Sequence, residues 1–214
     1  MLLGQLQSLL SDLYALEMSY DVNDFLITDE RVADALDAEG RCIEEKLLIS
    51  EHDEETAGVS LYLKAELLER LQRNDPSHRL DGENLSDFWT ALEGISHFLY
   101  YAFNADMDKS VTLLEMELQA EVDKFVATSV LLRQQGSGFP PGLHRLLFSQ
   151  SEFDEQLSPD ERVRYEDANR YAGKYCRTLI SRLSLGRIGN DMRAELRRFY
   201  RLSQPAKIQH IEAF

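Results

Sequence analysis

The sequence predicts an α+β fold that is predominantly α-helical: a helical bundle built on a central antiparallel helix pair, with a small N-terminal β-hairpin. Residues 84–126 contain two helical apolar patterns joined by a short polar turn. Residues 44–64 contain two alternating runs around an acidic loop, which is typical of a β-hairpin. Beyond residue 143 the apolar patterns are all helical, so the strands are confined to the first third of the chain.

The first predicted element is an amphipathic helix over residues 2–16. Its apolar face is a stripe of leucines: Leu2, Leu3, Leu6, Leu9, Leu10, Leu13 and Leu16. A stripe of this kind packs on its own core or, if exposed, binds a partner or a second copy. After it, residues 24–27 are a short extended candidate, and Thr28 or Asp29 can cap a short helix that ends before Gly40.

The predicted hairpin has Leu47 and Ile49 on one arm and Val59, Leu61 and Leu63 on the other. Because two strands alone are marginally stable, we expect the hairpin to lie on helices or to gain a third strand. A short helix over residues 64–73 then leads into the central helix pair. The first helix of that pair has an apolar face of Phe88, Ala91, Leu92, Ile95, Leu99 and Ala102, and the second one of Leu114, Leu118, Val122 and Phe125.

Proline and glycine residues between positions 134 and 142 mark the clearest boundary in the chain. They separate an acidic α+β region, residues 1–134, from a basic helical region, residues 143–214, and we expect the two to pack as one globular unit. The net charge is −15. The acidic side chains are concentrated in the first region and the basic ones in the second. This distribution indicates either that the two regions neutralise each other or that the basic region binds an anionic partner.

The C-terminal region contains three further helix signals. Ser158 and Glu161, with Pro159 between them, form the pattern of a capping box, and the helix that follows is predicted to reach Leu183. Asn190 can cap another helix, and Pro205 can begin a last short one.

A polar cluster is predicted beside the apolar faces of the central pair: Glu93, His97, Glu117 and Glu121. Carboxylate metal sites in four-helix bundles use Glu and His at such positions, but with Glu-x-x-His on two helices. Here there is a single Glu93-x-x-x-His97 and no second copy. We therefore interpret Glu93 and His97 as an ordinary i,i+4 pair at the rim of the bundle, and we predict no metal site and no cofactor.

A row of arginines near the C-terminus is the strongest candidate for partner binding. Arg193, Arg197 and Arg201 follow one another at four-residue steps, Arg198 lies nearby, and Arg187 precedes them in a loop. Guanidinium groups at this spacing can contact consecutive phosphates or a carboxylate-rich surface. Alternatively, they pair with the acidic N-terminal region of the same chain or simply form a solvated face of the helix.

No nucleotide-binding, kinase, zinc-protease or zinc-finger motif is present, so no catalytic residue is assigned. Cys42 and Cys176 form no redox or metal motif. The N-terminal residues lack the pattern of a signal peptide, and no apolar run is long enough to span a membrane. We therefore expect a cytoplasmic protein that does not contact membranes.

Three functional hypotheses remain from the sequence. The first is a non-enzymatic adaptor or regulatory protein that binds another protein or itself, favoured by the absence of catalytic motifs, the leucine stripe and the charge asymmetry. The second is nucleic-acid binding through the basic helices at residues 162–201. The third is a metal-dependent enzyme in a helical bundle, built around the four residues of the polar cluster.

Overall fold

The computed structural model describes residues 2–37, 44–53, 56–149, 157–184 and 189–214. It confirms a predominantly helical α+β fold with a small sheet. The α-helices are α1 (Leu2–Tyr14), α2 (Glu30–Leu36), α3 (Ala65–Arg73), α4 (Leu85–Ala105), α5 (Leu113–Gln134), α6 (Leu143–Ser149), α7 (Pro159–Ser184), α8 (Asn190–Tyr200) and α9 (Gln204–Glu212). The strands are β1 (Leu26–Ile27), β2 (Glu45–Asp53) and β3 (Thr56–Leu63). Within the described residues, no helix has the length and apolar character needed to cross a bilayer.

The sheet has the strand order β1-β3-β2. Strands β2 and β3 form the predicted antiparallel hairpin, with Glu45 opposite Leu63, and β1 adds the third strand parallel to β3. One face, which includes Leu61 and Leu63, joins the main core against α4. On the other face, Leu48 and Tyr62 pack with Ala33 of α2 in a small separate cluster. Both faces of the hairpin are therefore covered by helices, which explains how so small a sheet is stabilised.

Helix α5 lies at the centre of the bundle. It packs against α4 as predicted, and α7 runs along its other side, while α1 crosses both α4 and α5. Apolar residues from α5 and from α7, such as Phe125 and Tyr175, belong to one continuous core. The leucine stripe of α1 is also part of this core, since Leu3, Leu6 and Leu10 are buried. The division into regions 1–134 and 143–214 stays a prediction.

Local side-chain contacts explain where the long helices begin. The predicted capping box of α7 is present, because the Glu161 N–H donates to Ser158 Oγ and the Ser158 N–H donates to Glu161 Oε2. A second capping box, between Thr112 and Glu115, begins α5. By contrast, the side chain of Asn84 does not cap α4 and instead donates hydrogen bonds to two carbonyls of the preceding loop.

The arginine row of α8 lies against the C-terminal end of α1. Arg201 donates to the carbonyl oxygens of Tyr14 (2.9 Å) and Ala15 (3.1 Å). Arg197 donates to those of Asp12 and Leu13 at 3.4 Å. The last carbonyls of a helix have no partner within the helix and carry its partial negative charge, so cationic donors stabilise this end. The row therefore makes intramolecular contacts, but with backbone carbonyls of α1 rather than with acidic side chains of the N-terminal region.

We predict that Arg201→Ala lowers the free energy of unfolding by about 1–2 kcal/mol, because it removes charged hydrogen bonds from the end of α1. Urea unfolding followed by circular dichroism measures this change. Arg198→Ala is the matched control, since Arg198 is an exposed arginine in the last turn of α8, three residues before Arg201, and we expect it to change stability by no more than about 0.5 kcal/mol. Equal effects of the two substitutions would contradict this role of Arg201.

Candidate functional site

A buried cluster of ionisable side chains surrounds His97 at the meeting point of α4, α5, α7 and β2. The His97 side chain is only 8% exposed. Its Nε2 atom lies 3.5 Å from Glu117 Oε2 on α5, and its Nδ1 atom lies 3.5 Å from Glu45 Oε1 on β2. Neither His97 Nε2 nor Glu45 Oε1 makes a hydrogen bond, although both atoms are buried. Buried polar atoms without a hydrogen bond are rare in protein interiors, and both of these lie within ion-pair distance of a neighbour if His97 is protonated.

Two cationic side chains complete the cluster. Lys124 Nζ lies 2.6 Å from Glu93 Oε2 and 2.8 Å from Glu121 Oε1, so it joins α4 to α5. Arg164 of α7 lies with its Nε atom 3.9 Å from Glu117 Oε1, and this buried Nε also makes no hydrogen bond. The side chains of Glu93, Glu121 and Arg164 are about one-fifth exposed. They form the edge of the cluster that faces solvent.

The interpretation of Glu93 and His97 as a polar pair at the rim is wrong. His97 is buried and faces Glu45 and Glu117, whereas Glu93 pairs with Lys124. The reason is that this side of α4 does not face solvent but packs against β2 and α5. All four residues of the predicted polar cluster do lie together in the structure. Sequence reasoning missed Glu45 and Arg164, which are adjacent to the cluster only in the folded chain. It also missed Lys124, although the i,i+3 spacing from Glu121 on α5 is a signal that the sequence offers.

Glycine at position 94 is what allows the Glu45 side chain to reach His97. A Cβ atom at this position of α4 would lie 2.8 Å from Glu45 Cγ and 2.8 Å from Leu61 Cδ1. Both distances are shorter than real Cβ contacts, so any larger residue at this position would displace the side chains of Glu45 on β2 and Leu61 on β3. The isolated glycine in the middle of an apolar helical pattern is the signal that the sequence offered for this contact.

The charges of the cluster strongly influence one another. Burial disfavours an imidazolium, but the carboxylates of Glu117 and Glu45 outweigh it and raise the pKa of His97 well above its ordinary value. Burial raises the pKa of Glu45, and of Glu121. The pKa of Glu93 is lowered in spite of burial, because Lys124 and His97 favour its ionised form. Burial and the negative charges of the cluster raise the pKa of the Tyr165 phenol, which lies beside it on α7.

The geometry of the cluster fits a bound metal ion. Single ligand atoms of Glu93, His97 and Glu117 all lie within 4.8 Å of one another. Ligands of one ion at about 2 Å from the metal are roughly 3–4 Å apart, so small side-chain rotations would complete such a site. In metal sites the second nitrogen of a ligating histidine commonly donates to a carboxylate, which fixes the tautomer. In this protein the carboxylate near Nδ1 is that of Glu45, and the nitrogen that faces Glu117 is Nε2.

A second buried polar network lies on another side of α5. Asp123 accepts hydrogen bonds from Tyr14, Ser96 and Gln119. Gln119 in turn accepts a hydrogen bond of 2.6 Å from Lys207 of α9, which is completely buried. Burial lowers the pKa of Lys207 to about 7 and raises that of Asp123 to about 6.

Aromatic rings surround the Lys207 ammonium where it is not hydrogen-bonded. Its Nζ atom lies 4.5 Å from the centroid of the Tyr100 ring and 4.7 Å from that of Phe199. Cation–π contacts of this kind partly replace the hydration that a buried ammonium loses. The network thereby fixes α9 to the bundle.

The arginines proposed for partner binding are not part of either network. Arg193 approaches Asp12 O at 3.5 Å, so it shares the intramolecular contact of Arg197 and Arg201 with α1. Arg198 is exposed on α8, and Arg187 lies outside the described residues. Cys176 is buried with a free thiol, and Cys42 also lies outside the described residues.

Comparison with protein-family models, curated proteins and solved structures found no match. The functional assignment therefore rests on the residues of the site and their geometry.

We predict that Gly94→Ala displaces Glu45 from His97 and lowers the free energy of unfolding by about 1–3 kcal/mol, as over-packed cores do. The pKa of His97, measured by NMR titration, is expected to fall because the carboxylate near Nδ1 moves away. Gly82→Ala is the matched control, because a Cβ atom there meets nothing within 4 Å. An unchanged stability together with an unchanged His97 pKa in Gly94→Ala would disprove this role of the glycine.

We predict that Lys207 makes stability rise with pH between about 7 and 9. The folded-state pKa of about 7 lies below the value of an exposed lysine, so in this range the unfolded chain holds a proton that the folded chain lacks. Raising the pH therefore favours the folded state, by at most about 1.4 kcal/mol per pH unit. Urea unfolding at several pH values would compare the wild type with Lys207→Met. A constant difference in stability between the two proteins over this range would refute the prediction.

Proposed function

We propose that this protein binds a divalent metal ion through Glu93, His97 and Glu117. The observation that carries the proposal is the buried His97 Nε2 atom, which makes no hydrogen bond and faces the carboxylate of Glu117. Glu45 supports the histidine from the opposite side of the ring, at Nδ1. One imidazole nitrogen with two carboxylates is a donor set that suits Mn²⁺, Fe²⁺ or Zn²⁺.

The charge balance of the cluster supports the same proposal. Four carboxylates, those of Glu45, Glu93, Glu117 and Glu121, are opposed by the cations Lys124 and Arg164. With a neutral His97, two negative charges remain in a largely buried site, and a divalent ion neutralises them. Excess buried charge is unfavourable in the low dielectric of a protein interior, so a cation is favoured there.

A proton on His97 is the competing occupant of this position. An imidazolium between Glu45 and Glu117 would make the cluster a closed network of ion pairs, and the raised pKa of His97 is consistent with that state. Metal binding requires a neutral imidazole and therefore displaces this proton. The two alternatives differ in one measurable property, namely whether a divalent ion binds in stoichiometric amount.

An ion held by three side chains retains coordination positions for water or for a substrate atom, and a metal can lower the pKa of bound water. The partly exposed edge formed by Glu93, Glu121 and Arg164 gives solvent a route to such an ion. This is the feature that favours the hypothesis of a metal-dependent enzyme in a helical bundle.

The protein-binding and nucleic-acid-binding hypotheses stay predictions. Fewer residues are available to support these two hypotheses than the sequence indicated. The leucine stripe of α1 is buried, and Arg193, Arg197 and Arg201 contact the end of α1. Arg198 is the exposed member of the row that these contacts leave out.

We predict that the chelator-treated wild type binds about one equivalent of Mn²⁺ or Zn²⁺ in equilibrium dialysis, and that its melting temperature rises with the metal concentration. Glu117→Gln removes a ligand and is expected to weaken binding by at least tenfold. Glu115→Gln is the matched control: Glu115 is a buried carboxylate of the same helix, and glutamine preserves the capping box. Failure of the wild type to bind either ion, or equal affinities of the two variants, would overturn the proposal.

A further inference from the structure

The position of Lys124 within the cluster is unusual for a lysine. Its side chain is 11% exposed, and its ammonium lies between two carboxylates from different helices. The distances are 2.6 Å to Glu93 Oε2 and 2.8 Å to Glu121 Oε1. Lysines rarely give up hydration to this extent unless the ammonium is paired. Here it joins a carboxylate that belongs to the proposed metal site to one that does not.

We propose that Lys124 is a built-in cation that limits this site to one metal ion. The inference rests on the proposed function, because Glu93 is both a proposed metal ligand and a partner of Lys124. In two-metal sites the ions are about 3.5–4 Å apart and share carboxylates. The ammonium lies between Glu93, the carboxylate that two ions would share, and the further carboxylate of Glu121.

The charges and donors of the cluster explain why a second ion would bind in the absence of the ammonium. Without it, Glu93 and Glu121 would lie at the partly exposed edge of the cluster with no cation between them. Carboxylates in this situation bind a cation or take up protons. A lysine fixed by the fold supplies the positive charge but no open coordination position, so it selects a site with one ion over a site with two.

The test is the stoichiometry of Mn²⁺ binding to chelator-treated protein, measured by equilibrium dialysis with elemental analysis. We expect one equivalent for the wild type and two for Lys124→Gln. Electron paramagnetic resonance provides a second readout, because two Mn²⁺ ions at the spacing of a two-metal site are magnetically coupled and a single ion is not. Lys124→Arg retains the positive charge, and we expect it to bind one equivalent.

A double substitution, Lys124→Gln with Glu121→Gln, tests whether the second ion depends on the Glu121 carboxylate. It removes the ammonium together with the carboxylate that would hold a second ion, and it leaves the proposed ligands Glu93, His97 and Glu117 unchanged. We expect this protein to return to one equivalent. Its net charge equals that of the wild type, which favours folding.

The outcomes distinguish this inference from the proposed function. If the wild type and Lys124→Gln each bind one equivalent, the role of Lys124 is refuted while the metal site stands. Binding of two equivalents by the wild type would also refute the role of Lys124. Absence of binding by the wild type would refute both that role and the proposed metal site. If Lys124→Gln does not fold without metal, it is refolded during a Mn²⁺ titration followed by circular dichroism. Recovery of helicity at two equivalents of Mn²⁺ supports the inference. Recovery at one equivalent, or no recovery in excess Mn²⁺, overturns it.

Discussion

Helix α5 is surrounded by other elements, yet it carries polar side chains on more than one side. Glu117 and Asp123 are both buried, on different sides of the helix. A buried carboxylate without a partner costs several kcal/mol, so each must be paired within the protein. Partners from other elements come from α1, α4 and α7, and Lys207 of α9 joins the Asp123 network through Gln119 of α5. The need to satisfy α5 therefore constrains where several of the other elements lie.

The two polar networks on α5 meet this need in different ways. Both carboxylate oxygens of Asp123 accept hydrogen bonds from neighbouring side chains, so that network is closed and stabilises one arrangement of α1, α4 and α9. Around His97, by contrast, buried nitrogen and oxygen atoms remain without hydrogen bonds. A network that is unsatisfied in this way is unfavourable for stability alone, which is why we propose metal binding for the His97 cluster and a structural role for the Asp123 network.

Much of the fold could be predicted from the sequence because it depends on local patterns. The apolar face of α4, including Phe88, Leu92 and Ile95, is buried as its spacing predicts, and the Ser158 capping box begins α7. The hairpin was predicted from its alternation, but its two covered faces were not, because Leu48 and Tyr62 meet α2 only in the tertiary structure.

The candidate site could be predicted only in part, for the same physical reason. Residues on one face of one helix pair were identified together, since helical spacing brings Glu117 and Glu121 to one side. Glu45 comes from a strand about fifty residues earlier in the chain, and its contact depends on a missing side chain at Gly94. The contact of the arginine row with α1 could not be predicted either. Its acceptors are backbone carbonyls at the end of α1, which every residue type has, so the sequence does not mark them.

The attachment of α8 to α1 has a consequence for the order of folding. Arg197 and Leu13, which share one of these hydrogen bonds, are 184 positions apart. Contacts between residues so distant in the chain close large loops and form late, and during synthesis α1 is complete long before the arginines are translated. Helices α4 and α5, which also pack against α1, are synthesised before α8 and can cover part of its leucine face first. The carbonyls at the end of α1 receive their arginine donors only after α8 is synthesised, so the final docking of α1 has to follow that step.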